Sequence, residues 1–573
     1  MGSHFDRVVG LKGVQPRAAD TTATLDGVLG GENRAMQCSY MRTRMLESLE
    51  RRDDKSSITK IDSQIRAVAH RAEDIIESYM VDQMLTGSNC VIFTLSQPDL
   101  HQVIQDLDSL IKQAEKLVEM EDEKMLREPD SSVEQLKFVE DKKMLVVGID
   151  GDLMQLKDRL TRLEKKLEIV PIVGMGGVGK TTLARKLYED PLIVDHFAYR
   201  AWTTVSQDYN MRQILSSLLR CITGNECDQP SDKLKDMLYK SLFGRKYLIV
   251  LDNIWSTKFW DEMRMYFPNT NNASRIVITT RESDVANYAN SSSLQHQVRL
   301  LSESESWNLL HQLVFGEEGC PLVLQEIGRN ISMDCGGLPL AISVIGGLLS
   351  TIKRSEDAWG NNVIVAISES DERCYSILPL SYNHLSNHLK PCFLYMGAFP
   401  EDYMIKGSKL VRLWVAEGFV KSNRGRSLEE DAKDWLRSLV ERNLFLVSEY
   451  KMNSKPKSYS MHDMLRDICI RKSAQDMFLN GPNKFTTSNP RRLSLHNSDE
   501  LEDVNDSTES MSLTRSVIFF GFWKAEFPSG AFSAARLLRV LDLMNMHCDS
   551  FPTEIFELVN LRFLRVWFLS RIP

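Results

Sequence analysis

The stretch between residues 169 and 188 constrains the fold more than any other part of this 573-residue chain. An apolar run at 169–173 predicts a buried strand, and residues 183–188 are compatible with a helix. Between them lies GMGGVGKTT, which matches the pattern G-x-x-x-x-G-K-[ST] in full. A strand, a glycine loop and a helix in this order predict a phosphate-binding loop. A chance glycine-rich turn is the alternative, and the flanking pattern argues against it.

Each residue type in this loop has a physical role toward a phosphate group. Glycine lets backbone N–H groups curve around an anion, and the following helix presents the positive end of its dipole. Lys180 is predicted to reach the β- and γ-phosphates, and the Thr181 hydroxyl to bind Mg²⁺. The residues predicted to hold the phosphates are Gly174, Gly176, Gly177, Val178, Gly179, Lys180, Thr181 and Thr182.

A second apolar run, KYLIVLDNIW at 246–255, predicts a strand with Asp252 near its carboxyl end. An acid there can coordinate Mg²⁺ opposite a phosphate loop, although aspartate at a strand end is also a common turn residue. The amide of Asn253 cannot serve as a general base. A further strand at 274–280 ends at Arg281, whose guanidinium can sense a γ-phosphate through bidentate bonds.

Composition excludes several classes of function. The net charge of -8 argues against a general binder of nucleic acid or of membrane surfaces. The ten cysteines lack C-x-x-C spacing, which favours a reducing, intracellular compartment over a zinc ribbon or a disulfide framework. No apolar run reaches transmembrane length. His384 and His388 are spaced four apart without a glutamate between them, so we interpret them as surface or packing residues.

The regions around the phosphate loop predict a multidomain chain. Strands alternating with helices indicate a doubly wound parallel α/β sheet. Helical periodicity over 61–79 and 100–118 predicts an N-terminal helical bundle, and helical patterns return after residue 300. The predicted divisions are an irregular segment at 1–40, a helical bundle at 41–125, a linker at 126–145, a nucleotide-binding domain at 146–300, helical subdomains at 301–376 and 377–480, a linker at 481–512 and repeats at 513–573.

Two features at the ends of the chain leave alternatives open. The acids at 73–77 face away from the apolar stripe of their helix, so they are either solvated or paired with a basic surface elsewhere. Residues 538–543 and 561–566 repeat a leucine pattern 23 residues apart, which is typical of leucine-rich repeats. Two repeats without a cap are not expected to be stable alone, so we expect either truncation or packing on the preceding domain.

Taken together, these motifs resemble those of plant intracellular disease-resistance proteins of the coiled-coil, NB-ARC, leucine-rich-repeat class, of the solanaceous late-blight-resistance type. The resemblance covers about residues 60–573, and the motifs occur in the order of that family. They are GMGGVGKTT at 174–182, LIVLDNIW at 248–255, SRIVITTR at 274–281, CGGLPLA at 335–341, CFLYMGAFPED at 392–402 and MHD at 461–463.

The resemblance implies a fold and a function. The fold would be an N-terminal helical bundle, a P-loop α/β domain with helical and winged-helix subdomains, and the start of a leucine-rich-repeat solenoid. The function would be a switch that binds ADP at rest and ATP, with Mg²⁺, when active. A pathogen effector or guarded host protein, together with a helper receptor, would trigger self-oligomerisation, defence and hypersensitive cell death. Action would be cytoplasmic, with association with the plasma membrane on activation and no nucleic-acid partner.

The resemblance also implies roles for single residues. Pro339 would pack against adenine, Val147 would lie near the base, and His462 would contact the ADP β-phosphate. The regulatory motif would be Met461, His462 and Asp463. The acidic motif Glu73, Asp74 and Glu77 would dock on an arginine-rich repeat surface.

Three features depart from the family pattern. Asn253 replaces the usual second acid, so at most a weak ATPase is expected. Residues 1–40 do not resemble the family's first helix, and most of the repeat domain is absent. Two alternatives to the switch therefore remain, namely a truncated, non-sensing member acting as an adaptor and a turning-over P-loop ATPase or kinase.

Overall fold

A computed structural model describes residues 145–568 with gaps, together with scattered helical positions between 64 and 109. The gaps lie at 208, 226–228, 291–294, 361–372, 421–424, 476–477, 480, 481–490, 497–510, 522, 525–534 and 549–552. The predictions for 1–40 and 126–144 lie outside the described residues. None of the helices in the described part is long and apolar enough to cross a bilayer.

The predicted parallel sheet is confirmed. It has five strands in the order β2-β3-β4-β1-β5, and every pair of neighbours is parallel. The strands are β1 (Glu168–Val173), β2 (Tyr199–Thr204), β3 (Tyr247–Ile254), β4 (Arg275–Thr280) and β5 (His296–Gln297). Because β3, β4 and β1 are adjacent and parallel, the residues at their carboxyl ends meet at one edge of the sheet.

Helices cover both faces of this sheet. They are α1 (Asp150–Thr161), α2 (Lys180–Glu189), α3 (Pro191–His196), α4 (Met211–Thr223), α5 (Ser231–Leu242), α6 (Thr257–Arg264) and α7 (Ser283–Ala289). Alternate residues of β3 belong to two cores, with Leu248 and Val250 in one and Ile249 and Leu251 in the other. A strand buried on both faces reads as a continuous apolar run, which is why this segment was recognisable in the sequence.

A helical subdomain follows the sheet. It contains α8 (Glu303–Phe315), α9 (Leu322–Asp334), α10 (Pro339–Leu349) and α11 (Glu356–Trp359). Ser302 and Glu305 form a reciprocal capping box at the start of α8. Pro339 occupies the first turn of α10, where its missing N–H leaves no unsatisfied partner. The glycine turn before it brings Leu301 N within 2.9 Å of Gly337 O, which ties α10 to the end of the sheet domain.

The next unit, from Arg373 to Gln475, is called the winged-helix unit below. In its described residues it combines five helices with a small antiparallel sheet. The helices are α12 (Arg373–Asn383), α13 (Leu389–Leu394), α14 (Gly407–Glu417), α15 (Leu428–Glu441) and α16 (Asp463–Gln475), with a 3₁₀ turn at Tyr395–Ala398. The strands β6 (Ile405–Lys406), β7 (Leu446–Tyr450) and β8 (Pro456–Ser460) pair in the order β6-β8-β7. Helix α12 begins four residues before the predicted boundary at 377.

A second parallel sheet ends the described chain. Its strands are β9 (Arg492–Leu495), β10 (Ser516–Phe519), β11 (Trp523–Lys524), β12 (Val540–Cys548) and β13 (Phe563–Phe568). Strand β9 lies inside residues 481–512, so the prediction of a linker there is wrong for this segment. The strand is short, and its residue Ser494 is buried with its hydroxyl donating to Ala398 O, a contact that a polar sequence does not predict.

Candidate functional site

The glycine loop has the backbone of an anion cradle. Gly177 and Gly179 have φ values of 76° and 102°, in the region that favours glycine, and Gly179 caps α2. Lys180 is buried, and its Nζ donates to Gly174 O at 2.6 Å and Met175 O at 2.9 Å. Burial and the nearby Arg281 charge lower the pKa of Lys180 to about 8, so the ammonium stays mostly protonated at neutral pH. The loop therefore presents a cation and free helix N–H groups at one point.

Asp252 joins the phosphate loop to the neighbouring strand. Its Oδ1 accepts hydrogen bonds from Thr181 Oγ1 at 3.1 Å and from Thr279 Oγ1 at 2.5 Å. Burial raises the pKa of Asp252, and the two hydroxyl donors oppose that rise. The two predicted Mg²⁺ ligands, Thr181 and Asp252, are thus adjacent, and the hydroxyl of Thr279 was missed by sequence reasoning.

Arg281 faces the winged-helix unit. Its NH2 donates to Asp463 Oδ2 at 2.6 Å, and its guanidinium lies over the Trp255 ring, 4.8 Å from the centroid. Asp463 is the first residue of α16 and is buried. The ion pair therefore links the edge of the α/β sheet to a residue 182 positions later in the chain.

His462 lies beside these groups in its neutral form. Burial lowers its pKa to about 4, the charges of Arg281 and Lys180 add to that effect, and Asp463 opposes it. Its Nδ1 accepts a hydrogen bond from Met464 N at 3.2 Å, so the ring proton belongs on Nε2. The side chain can therefore donate from Nε2. Met461, by contrast, is a buried core residue in contact with Cys469.

Pro339 and Val147 are the residues predicted to lie near the adenine base. Leu340 N donates to Gly177 O at 3.2 Å, so the start of α10, at Pro339, is anchored to the phosphate loop. Val147 packs against the first hydrophobic core, and Arg299 donates to the carbonyl of the next residue, Gly148, at 3.4 Å. The structure thus places the start of α10 beside the phosphate loop and Val147 at the edge of the first hydrophobic core.

Two polar residues at this interface had no role assigned from the sequence. Asp402 follows the FPE sequence in a left-handed conformation with φ 56°. Asn253 also has a positive φ, of 65°, and its Nδ2 lies 3.4 Å from Asp402 Oδ2 and 3.3 Å from Asp463 Oδ2. Asp402 lies 149 positions after Asn253 in the chain, and Asp463 lies 210 positions after it, so no local sequence pattern reveals these contacts.

The acidic motif lies on a row of arginines. Arg491 pairs with Glu73 at 2.7 Å and with Asp74 at 2.9 Å, and Arg515 pairs with Asp74 at 2.7 Å and with Glu77 at 2.9 Å. Arg539 pairs with Glu77 and, at 3.4 Å, with Glu73.

The arginine charges in this row affect the titration of Glu73. Burial opposes the charged form of Glu73. The hydrogen bond with His70 and three arginine charges nevertheless hold its pKa well below the usual range. The geometry is that of a basic surface occupied by the acidic helix.

Comparisons with known proteins agree with this geometry. Residues 149–320 match the NB-ARC domain family, and residues 398–469 match the disease resistance protein winged helix domain. Two putative late blight resistance protein homologs from Solanum demissum are each 38% identical over 72% of this chain and 33% of their own length. The chain therefore spans about a third of the length of these curated relatives.

A likeness to a solved structure is weaker. A signal transduction ATPase with numerous domains and a tetratricopeptide-repeat sensor, from Pyrococcus horikoshii, aligns with a TM-score of 0.37 and 19% identity. The alignment covers 59% of this chain and 44% of that one. The two domain matches cover the phosphate loop and the unit that carries His462 and Asp463. The chain therefore contains an NB-ARC domain and a winged helix domain of the disease resistance protein type.

Proposed function

We propose that this chain is the nucleotide-dependent switch of a plant immune receptor, closed with ADP and opened by exchange for ATP. The observation that carries the proposal is the ion pair between Arg281 and Asp463. Arg281 stands at the edge of the phosphate site, and Asp463 belongs to the winged-helix unit. A nucleotide that binds here touches the charges that hold the two units together.

The residues at the site fit a nucleoside phosphate. Lys180, the first-turn N–H groups of α2 and neutral His462 are all donors, and donors of this kind bind phosphate oxygens. Thr181 and Asp252 supply oxygen ligands, which suit Mg²⁺. Among the described residues, no group of three His, Cys, Asp or Glu side chains could hold a metal by itself. A bound Mg²⁺ would therefore complete its shell with phosphate and water.

Competition for Arg281 gives the switch its direction. Arg281 holds Asp463 through one N–H, so a γ-phosphate bound to this guanidinium would compete with Asp463 for the same positive charge. ADP lacks this phosphate, so it is compatible with the pair and with a donor at His462. A ligand shifts a conformational equilibrium only through such a difference in affinity between the two states.

The remaining features of the proposal follow the family. The C-terminal sheet begins a leucine-rich-repeat solenoid, and the helices before residue 110 belong to a helical bundle. Perception of an effector or guarded host protein, with a helper receptor, leads to self-oligomerisation, association with the plasma membrane and hypersensitive cell death. The resting protein acts in the cytoplasm.

The nucleotide that co-purifies with the full chain tests the proposal. The protein is denatured, the released nucleotide is identified by chromatography, and Lys180→Ala serves as the matched control. Close to one ADP per chain, lost in the control, supports the switch. An empty site in both proteins would overturn it. A steady-state turnover of about 1 s⁻¹ or more would instead favour a metabolic ATPase or kinase.

A further inference from the structure

Asn253 sits where the phosphate site meets the winged-helix unit, and its backbone fixes where its side chain points. Its N–H donates to Thr279 Oγ1 at 2.8 Å, and its positive φ is one that asparagine tolerates better than most residues. The residue is 9% exposed. The side chain therefore has little freedom to turn away from the interface.

The two acceptors of this side chain come from different elements of the winged-helix unit. Asp402 lies before β6, and Asp463 opens α16. An asparagine amide has two N–H bonds, so it can donate one to each carboxylate. Only the nitrogen end of the amide can do so, which fixes its orientation between the two acids.

The surrounding carboxylates favour a hydrogen-bond donor at position 253. Burial raises the pKa of Asp402, and the nearby charges of Asp463, Asp252 and Glu401 raise it further, while the hydrogen bond from Asn253 lowers it. Arg281 pairs with Asp463 but with neither Asp402 nor Asp252. Within the described structure, Asp463 Oδ1 is buried without a hydrogen-bond partner, so Oδ2 alone carries the contacts to Arg281 and Asn253.

We propose that Asn253 is a positioning residue whose amide bridges Asp402 and Asp463 and thereby holds the winged-helix unit closed over the nucleotide site. A carboxylate of the same shape would donate nothing and would bring a further negative charge against two others. The same side chain that cannot act as a general base thus lengthens the lifetime of the closed state. The inference rests on the proposed function, since closure is measured through retained ADP.

The decisive experiment follows release of preloaded ADP from the full chain, in the absence of ATP so that hydrolysis plays no part. Asn253→Asp changes one atom and adds one charge. We expect it to release ADP about tenfold faster than the wild type, within the range of couplings between contacting groups. The double variant Asn253→Asp with Asp402→Asn restores one donor–acceptor pair, and asparagine also tolerates the left-handed backbone at 402. Release from it should slow again by at least about threefold.

The outcomes separate this inference from the proposed function. If the wild type holds no ADP, the proposed function fails. If the wild type holds ADP and Asn253→Asp releases it at the same rate, or the double variant shows no recovery, the bridge is overturned. Should Asn253→Asp fail to fold, Asn253→Gly removes the amide without backbone strain. It should then release ADP about threefold faster, and an unchanged rate would overturn the inference equally.

Discussion

Two long-range contacts hold distant parts of this chain together, and they are built differently. At the phosphate site, one ion pair between Arg281 and Asp463 joins two units, and the arginine side chain is 21% exposed. On the C-terminal sheet, three arginines share three acids, with Arg515 only 1% exposed and Glu73 43% exposed. In the proposed switch, a phosphate group competes with Asp463 for Arg281 at the first contact. The second contains only protein charges and has no place for a ligand in its pairing.

The two contacts differ in how easily a competing ligand can break them. A single pair beside a ligand site can be broken by one competitor, because its loss is matched by a new bond to the same guanidinium. A network shared among several residues loses only part of its energy when one pair opens. The first contact is therefore suited to switching, and the second to keeping the acidic helix in place while the switch works.

The largest effect is expected for Arg515→Glu. This arginine is buried and pairs with Asp74 and Glu77, so reversing its charge leaves carboxylates facing a carboxylate. We expect docking of the acidic helix to weaken by about 3–5 kcal/mol. Amide hydrogen exchange at residues 64–81 in the full chain measures it.

The control for that prediction is Arg562→Glu. Arg562 stands one position beyond Arg539 in the row of arginines. Its charge acts on Glu77, but it makes no ion pair with the described acids of the helix, so a smaller loss of protection is expected. Equal losses of protection in both variants would contradict the assignment of the contact to individual pairs. ADP release should remain within about twofold of the wild type in both, because neither residue touches the phosphate site.

Next in size is Asp463→Val. The variant leaves Arg281 without its partner and removes one acceptor of Asn253, so ADP should be released about 10- to 100-fold faster. Transient expression in leaves should give cell death without a pathogen. Asp434→Val, which removes two exposed pairs, with Arg426 and Arg437, is the control and should behave as the wild type. If Asp463→Val releases ADP at the wild-type rate, the contact between Arg281 and Asp463 does not act in the switch.

The two contacts should respond differently to ionic strength in the wild-type protein. Raising the ionic strength from about 0.1 to 1 M shortens the Debye length from about 10 to 3 Å, and it screens partly exposed charges more than buried ones. Glu73, which is 43% exposed, is the most accessible charge in either contact, so its pairs should weaken and protection of residues 64–81 from hydrogen exchange should fall. ADP release should change by less than about twofold. An equal response would mean that the two contacts do not differ in solvent access.

The smallest effect is a dependence on pH through His462. Because its pKa is lowered to about 4, the unfolded chain binds more protons than the folded one between about pH 6.5 and 4. Stability from this residue is therefore present above pH 6.5 and is lost as the pH falls through that window. Glu401, with its pKa raised to about 6 by burial, acts in the opposite direction between about pH 4.5 and 6.

A variant isolates the histidine from this opposing group. His462→Gln cannot be protonated, so its melting temperature without nucleotide should rise relative to the wild type by a few °C as the pH falls from 7 to 5. Differential scanning fluorimetry measures the difference. A constant difference across that range would show that the imidazole does not titrate as described.

The sequence predicted the parts of the site that depend on local chemistry. The glycine loop and Arg281 each follow a strand recognisable by its apolar run, and Asp252 lies near the carboxyl end of another. The parallel order of β3, β4 and β1 then brings them together. Asp402 and Asn253 could not be paired in advance, because their contact depends on how two units pack. The roles of Pro339, Val147 and His462 toward a nucleotide remain predictions.

The C-terminal sheet shows a different limit. The leucine pattern identified two repeats, whereas the structure has paired strands from β9 onward. A better signal was present in the arginines, which stand just before the strands at 491, 515, 539 and 562, spaced 24, 24 and 23 residues apart. Their regularity was hidden because charged residues are ordinarily interpreted as surface rather than as register markers.

The same arginine series has a consequence for how such a chain can change over generations. Each of these residues donates its backbone N–H to the carbonyl of the previous one, from Arg515 to Arg491, from Arg539 to Arg515 and from Arg562 to Arg539. The basic surface is thus a by-product of the stacking itself. Unequal crossing-over that adds or deletes whole units beyond the third would leave the seat of the acidic helix unaltered. The later repeats could then vary in number while the arginine surface that holds the acidic helix stays the same.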